Sequence, residues 1–312
     1  MGYPTLVSKT GIADQRQGVS VIFCIRNERF RLPFFFQYYR EMGVTEFFAV
    51  DNDSTDGTLD WLLSQPDAHV FHTDQSYKAS NAGRDWTSYI AKKYCRDTWC
   101  LTLDVDEFFI YPFKENLPFA EFIAYLDQWG FEGVFGIFLD FYSNKPLSET
   151  QYIAGDSVFD VCNYFDKATS YKVFETPNFP YLQIKGGPRQ RMFWDASTPK
   201  SGPSMRKLVL AKWRGDFDYL HSTHSSTDMK LADLSCVVGH FKFLSHLKEF
   251  SKSEVERNDR VANSADWKVY AERLEKDDLM LFDKNISIRY KNSLSLLESR
   301  LLSISGRYLN FF

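Results

Sequence analysis

Asp104-Val105-Asp106-Glu107 sets acidic side chains one residue apart, directly after the short apolar run from Trp99 to Leu103. Two carboxylates held this close repel one another unless a cation sits between or beside them. A divalent metal resolves the repulsion. Hard oxygen ligands of this kind suit Mg2+ or Mn2+, ions that also take the oxygens of a bound diphosphate. The plain alternative is a solvated loop after a core strand, and spacing alone leaves both readings open. A second cluster with chemical capacity is Lys185-Gly186-Gly187-Pro188-Arg189-Gln190-Arg191, where paired glycines sit among three cations. It reads as a flexible anion-binding loop or as a hairpin turn with solvated charges.

These residues need elements to hold them. Val21-Ile22-Phe23-Cys24-Ile25 is an apolar run of strand length, and Leu32, Phe35, Phe36 and Tyr39 recur at helical spacing before Gly43, a C-cap. Glu46 to Val50 predicts a second strand. It runs into Asp51-Asn52-Asp53-Ser54-Thr55-Asp56-Gly57-Thr58, a cluster of side-chain acceptors and glycine that marks a turn and a helix N-cap. His69 to His72 gives a third strand, and a helix with Ala82, Trp86, Tyr89 and Ile90 on one face follows. Trp99 to Leu103 is then the fourth strand, delivering Asp104 at its C-terminal end, where ligands bind in open α/β sheets. Pro118 to Trp129 predicts a helix stopped by Gly130, and Gly133 to Tyr142 a strand. Periodicity weakens from Ser143 to Tyr219, a strand fits Ser235 to Phe243, and the chain is charged and helical from His246. The alternation predicts an α/β fold with a mixed, mainly parallel sheet flanked by helices. The expected division is an N-terminal tail 1–18, a main domain 19–245 with halves 19–142 and 143–245, and a helical C-terminal extension 246–312.

Composition narrows the functions available. A net charge of −4 without a long basic run excludes an extended nucleic-acid surface, while leaving small anionic ligands open. Five scattered cysteines without a Cys-x-x-Cys pair read as buried small hydrophobes, not as a zinc ribbon or disulfide framework. The first residues lack the pattern of a secretory signal, and no apolar stretch approaches the roughly 20 residues that span a bilayer. The expectation is a cytoplasmic protein with no transmembrane segment, at most peripheral to a membrane. Ser287 to Phe312 reads as an amphipathic helix that packs on the main domain or on a second subunit, or that touches a membrane.

Arg26-Asn27-Glu28, Asp51 to Thr58 and Leu103-Asp104-Val105-Asp106-Glu107-Phe108, in that order and each at a strand end, resemble glycosyltransferase family 2 and its relatives. The resemblance covers roughly residues 19 to 142 and is looser beyond. It implies the Rossmann-like GT-A fold and a metal-dependent enzyme that transfers a sugar from a nucleotide-sugar donor, UDP-linked by preference, to a hydroxyl of a glycan, lipid-linked or other acceptor. It also implies that Arg26, Asn27, Glu28, Asp51 and Asp53 surround the base and ribose, and that Arg26 and Arg84 bring positive charge to the diphosphate. Asp104 falls on the ribose side, Asp106 is the better metal ligand, and His224 or His240 completes the shell of a bound Mn2+ or Mg2+. The segment from Ser143 to Tyr219 becomes the acceptor side. Each residue keeps a structural alternative: helix capping for Asp53 and Asp56, an ion pair with Asp85 for Arg84, a hydrogen-bonded core position for His240. Family members are usually inverting, which requires a base for the acceptor proton. Asp140 at a strand end is the first candidate, followed by Asp195 and Asp216, and the family's usual Glu-Asp pair is not visible at a matching position.

Two other classes fit parts of the pattern. A strand ending in Asp-x-Asp also suits haloacid-dehalogenase-like phosphatases, with Asp104 as nucleophile, although Glu107 breaks that motif and the upstream acidic turn goes unexplained. A non-catalytic module that binds nucleotide or sugar is the third reading.

Overall fold

The structure, a computed structural model, describes residues 2–8, 11–12, 18–195, 197–198 and 200–312. Its main sheet contains β1 Thr5–Leu6, β2 Val19–Ile25, β3 Glu46–Asp51, β4 Ala68–His72, β5 Trp99–Thr102, β6 Glu107–Ile110, β7 Gly133–Asp140, β8 Arg206–Lys212 and β9 Leu231–His240. They run in the order β1-β4-β3-β2-β5-β8-β7-β9-β6. β2, β3, β4 and β5 are parallel neighbours, as are β7 and β9. Antiparallel β8 joins the two parallel groups, and β6 and β1 close the edges antiparallel. The expected mixed, mainly parallel α/β architecture is the one observed. Of the segment 1–18 expected as a tail, Thr5–Leu6 pairs with β4; residues 1, 9, 10 and 13–17 lie outside the described residues.

Helices α1 Leu32–Met42, α2 Thr58–Leu63, α3 Arg84–Tyr94 and α4 Phe119–Gln128 belong to the first half, and α5 Gly187–Phe193, α6 Leu247–Arg257 and α7 Val261–Lys276 to the second. Core forms on both faces of the sheet. One cluster joins Val21 and Phe23 of β2 to Phe35 and Phe36 of α1 and Phe122 of α4. The other joins Ile22 of the same strand to Phe48, Trp86 and Ile90, and so seats α3. With both faces covered, these strands read as continuous apolar runs, which is why they were legible. α1 ends at Gly43, whose φ of 103° lets its N–H reach back to the Arg40 carbonyl. Its Phe35, Phe36 and Tyr39 are fully buried, each contributing roughly 1.5–3 kcal/mol.

α1 also fixes the acidic turn. Tyr39 Oη donates to the Glu107 carbonyl at 3.0 Å and accepts from Phe109 N at 3.0 Å, and Tyr38 Oη donates to the Phe109 carbonyl at 2.7 Å. The turn itself closes through Glu107 N to the Asp104 carbonyl at 3.0 Å.

The second half departs from expectation in two places. Lys185 to Arg191 is neither a loose loop nor a hairpin turn: Gly186 ends a strand, Leu182–Gly186, and α5 starts at Gly187. The C-terminal stretch 287–312 is not one amphipathic helix. It is a strand, Ser287–Arg289, and two short helices, Ser293–Glu298 and Gly306–Leu309, with Leu296, Leu301 and Tyr308 buried in the main core. Tyr308 Oη donates to the Pro112 carbonyl at 2.9 Å, so the segment packs on its own domain. α6 and α7 lie in the stretch 246–312 expected as a helical extension. A third cluster ties Leu247 and Tyr270 to Phe193 and Phe243, bringing the α6–α7 junction over the C-terminal ends of β2, β3 and β5. At the start of α7, Ala262, Asn263 and Ser264 take left-handed φ values of 51–56°. No helix among the described residues is long and apolar enough to cross a membrane.

Candidate functional site

The loops after β2 and β3 are laced to each other before any ligand is considered. Asn27, with φ 54°, accepts from Thr55 N at 2.7 Å through Oδ1, and its own N–H donates to Ser54 Oγ at 3.1 Å. Asp56 accepts from Arg29 N and Thr58 N, both at 3.0 Å, and so caps the start of α2. Asp51 lies fully buried beneath, its Oδ2 3.1 Å from His72 Nδ1 and accepting from Ser54 N. The structure therefore makes Asp51, Asn27 and Asp56 braces of the two loops. Asp53 is exposed, with φ 57°, and pairs with Arg26 at 3.5 Å. Asn52, passed over in the sequence, turns its side chain into the cleft, donating to the Thr73 and Gln75 carbonyls and accepting from Arg257 at 2.8 Å.

Asp104 and Asp106 stand at the centre of this cleft, a space of about 100 Å3. Asp104, Asp106 and Glu107 offer carboxylate oxygens within 4.8 Å of one another. Glu107 is buried and paired with Lys207 Nζ at 2.7 Å, which leaves Asp104 and Asp106 facing the opening. From β9, His240 brings Nε2 to 3.3 Å from Asp106 Oδ2. Its Nδ1 lies 2.6 Å from Asp140 Oδ1, and Asp140 Oδ2 accepts from Arg189 Nε at 2.8 Å. This buried chain fixes the ring: with Nδ1–H pointing at Asp140, Nε2 faces Asp106, to which it donates its hydrogen in the metal-free site, and a bound cation would displace that proton and take the lone pair. Burial pushes the Asp106 carboxyl up, but His240, with Arg31 and Lys242 behind it, outweighs burial and holds it well below the usual carboxylate range. The Asp104 and Asp106 oxygens lie close enough together to share one divalent cation, and the His240 nitrogen stands beside Asp106; ligands of this kind suit Mn2+ or Mg2+.

Asp140 is thereby corrected. Its side chain is 0% exposed and both oxygens are engaged, so no acceptor hydroxyl reaches it. Burial raises its pKa and Arg189 and His240 lower it further than that, leaving it ionised as a partner of His240. Asp195 and Asp216 are exposed in loops outside the cleft, Asp195 tied to Ser197 and Thr198. His224 is also displaced from its expected role. Its Nδ1 lies 2.5 Å from the Arg206 carbonyl, and the ring lines a second cavity beside the cleft instead of joining Asp106. Arg84 lines that cavity too, and makes the expected pair with Asp85 at 2.5 Å while donating to the Tyr219 and Leu220 carbonyls.

The rest of the cleft is cationic. Arg26 comes from the β2 loop, Lys242 from the segment after β9, and Arg257 and Arg260 from the α6–α7 junction. Lys242 Nζ lies 4.1 Å from the ring centre of Trp267 and Arg260 lies 4.7 Å over Tyr77. Burial lowers the Lys242 ammonium to about 8 against the pull of Asp106. Asp259 accepts from Tyr77 N at 2.9 Å and from Arg257 at 3.0 Å, pinning the junction to the loop after β4. Glu28 also lines the cleft, bonded to Arg31 at 2.8 Å, and burial pushes its carboxyl up to about 7 against the pull of Arg31. Arginine and lysine around a metal-binding pair are the groups that recognise phosphate oxygens. Arg257, Arg260 and Trp267 carried no signal in the sequence, since charged helical stretches are ordinarily solvated faces.

No protein family and no curated protein matches the chain by sequence. Solved structures that align with it include HddC from Yersinia pseudotuberculosis, at 10% identity over 62% of this chain and 73% of that one, TM-score 0.29. A putative glucose-1-phosphate thymidylyltransferase from Bacillus anthracis in complex with a sucrose aligns at 9% identity over 94% and 99%, TM-score 0.32. A UTP-bound UGPase from Acinetobacter baumannii aligns at 9% over 90% and 92%, TM-score 0.31. At such scores none of them assigns a family or an activity to this chain.

Chemically, the cleft offers a place for a divalent cation at one end and four positive side chains around it. Together they suit a ligand that carries phosphate-like negative charge.

Proposed function

We propose that the protein is a metal-dependent glycosyltransferase of the GT-A type, acting on a nucleotide-sugar donor, UDP-linked by preference, and a hydroxyl-bearing acceptor. The observation that carries this reading is the meeting of Asp104, Asp106 and His240 with Arg26, Lys242, Arg257 and Arg260 in one cleft at the C-terminal strand ends. Asp104, Asp106 and His240 would hold Mn2+ or Mg2+, which when bound supplies Lewis acidity to a departing diphosphate. The four cations would bind and orient the phosphate oxygens, and Asn52 and Ile25 would border the nucleoside. In the transfer, the acceptor oxygen bonds to the anomeric carbon as the anomeric C–O bond breaks, its electron pair leaving on the diphosphate and the acceptor proton being released. No base is assigned, because none of the three expected aspartates faces the cleft.

Purified protein warmed with UDP should show a melting temperature raised by roughly 5 °C at about a hundred times the Kd, only when Mn2+ or Mg2+ is present. Inorganic phosphate should not replace UDP. Asp106→Asn should weaken metal binding by more than about a hundredfold, beyond the loss typical for groups that only support a ligand. Hydrolysis of a generic phosphate ester that disappears in Asp104→Asn, with no UDP effect, would overturn the proposal.

A further inference from the structure

The cleft does not end at Asp104. Cys24, Tyr77 and Asp104 are shared with a second cavity of about 170 Å3 that lies toward the N-terminus of α3 and the start of β8. Close approach shapes its mouth: Gly83, at φ 74°, sits where a Cβ would come within 2.7 Å of Cys24 Sγ. The two spaces differ in chemistry. The cleft gathers four cations, of which Arg26, Arg257 and Arg260 also touch Asp53, Asp259 and Glu254, whereas the second cavity has two, both engaged, Lys207 with Glu107 at 2.7 Å and Arg84 with Asp85 and two carbonyls. What the second cavity adds is hydroxyls, from Thr87, Ser222 and Thr223, the ring of Tyr219, and His224.

His224 is the informative group. The Arg206 carbonyl at 2.5 Å can only accept, so Nδ1 carries the hydrogen. Nε2 is then an obligate acceptor. Burial, helped by Lys207, lowers the imidazole to about 3, so this tautomer persists across the neutral range. An acceptor of fixed type beside alcohol side chains and an aromatic face suits a ligand that donates hydroxyl hydrogens and has an apolar face, and it gives a carboxylate no unengaged cation.

We propose that the second cavity is the sugar pocket: it takes an uncharged, hydroxyl-bearing pyranose attached to the nucleotide in the cationic cleft, with His224 Nε2 accepting from a ring hydroxyl. The inference rests on the nucleotide-sugar reading above. Asp104 borders both spaces, so a diphosphate anchored there leaves its sugar beside His224.

The test compares UDP with UDP-glucose, UDP-galactose, UDP-N-acetylglucosamine and UDP-glucuronate, by calorimetry with Mn2+ present, on the wild type, His224→Phe and Thr223→Phe. One of the neutral sugars should bind the wild type more tightly than UDP. His224→Phe should cut that affinity about five- to tenfold, the worth of one hydrogen bond, while UDP affinity stays within about twofold. Thr223→Phe, which fills the cavity from its half-buried rim, should do the same if His224→Phe fails to fold. Equal losses for UDP and UDP-sugar, an unaffected UDP-sugar, or preference for UDP-glucuronate would overturn the sugar pocket while the nucleotide reading stands. A wild type that binds no UDP at all overturns the nucleotide reading instead, and the pocket with it.

Discussion

The two halves of the chain build the cleft by different means. From the first half come Arg26, Glu28, Asn52, Asp104 and Asp106, on loops that follow successive parallel strands; the first two of these loops are laced together by hydrogen bonds such as Asn27 to Thr55 and Asp56 to Arg29. From the second half come His240, Lys242, Arg257 and Arg260, each far in sequence from the first-half residues it faces across the cleft. Asp106 meets His240 across the pair β6 and β9, and Arg257 meets Asn52 across a gap of 205 residues. The first half supplies the carboxylates, on loops bound to one another. The second half supplies charge, and its placement depends on the sheet and on the packing of α6 and α7.

Breaking the long-range arm should do the most damage. Asp140→Ala removes the partner of both His240 and Arg189 and leaves a buried guanidinium unpaired. A loss of about 3–5 kcal/mol in urea unfolding is expected. Metal affinity of the folded fraction should drop about 10–100-fold.

Glu28 probes the local half through pH. Its folded pKa of about 7 lies above the model-peptide value of 4.5, so its protonated form is the one folding favours. That contribution is complete below about pH 4.5 and is lost as pH rises through about 7, a change of roughly 3 kcal/mol in the metal-free protein. Urea midpoints of the wild type should fall across that interval, and those of Glu28→Gln should stay flatter. A midpoint that rises from pH 5 to 7 equally in both proteins would show that Glu28 is not the group titrating.

Arg257→Ala is the gentlest of the three. The side chain is partly exposed and touches Asn52 and Asp259. UDP affinity should weaken about tenfold, as for one charge-assisted hydrogen bond, with little change in melting temperature. A large stability loss without a change in UDP affinity would make the junction a structural strap only.

Much of the first half was legible because its signals are local. The apolar runs of β2, β3 and β5, the helical spacing of α1 with Gly43 at its end, and the acidic residues after β5 each declare themselves within a few residues. The roles of individual acids were less legible. Asp51 and Asn52 are neighbours of similar size and both are buried, yet the alternation of side chains at the end of β3 turns the first to His72 and the second to Arg257 at the cleft wall. Asp140 ended its strand as expected, but β9, pairing in parallel register at His240, took up its carboxylate. β8, an antiparallel strand in the middle of the sheet, lay hidden in a stretch that read as loops.

By itself the sequence determined the α/β class, the order of the first strands and helices, and the position of Asp104 and Asp106 at a strand end. Those follow from periodicity and turn chemistry, which act between near neighbours. Only the tertiary structure decided which histidine faces Asp106, which cations surround it, and that His224 and Arg84 border a separate cavity. Contacts of this kind join residues as far apart as Arg84 and Leu220, 136 residues, and Asn52 and Arg257, 205 residues, and they are fixed by strand register and helix packing, to which no short stretch of sequence bears witness.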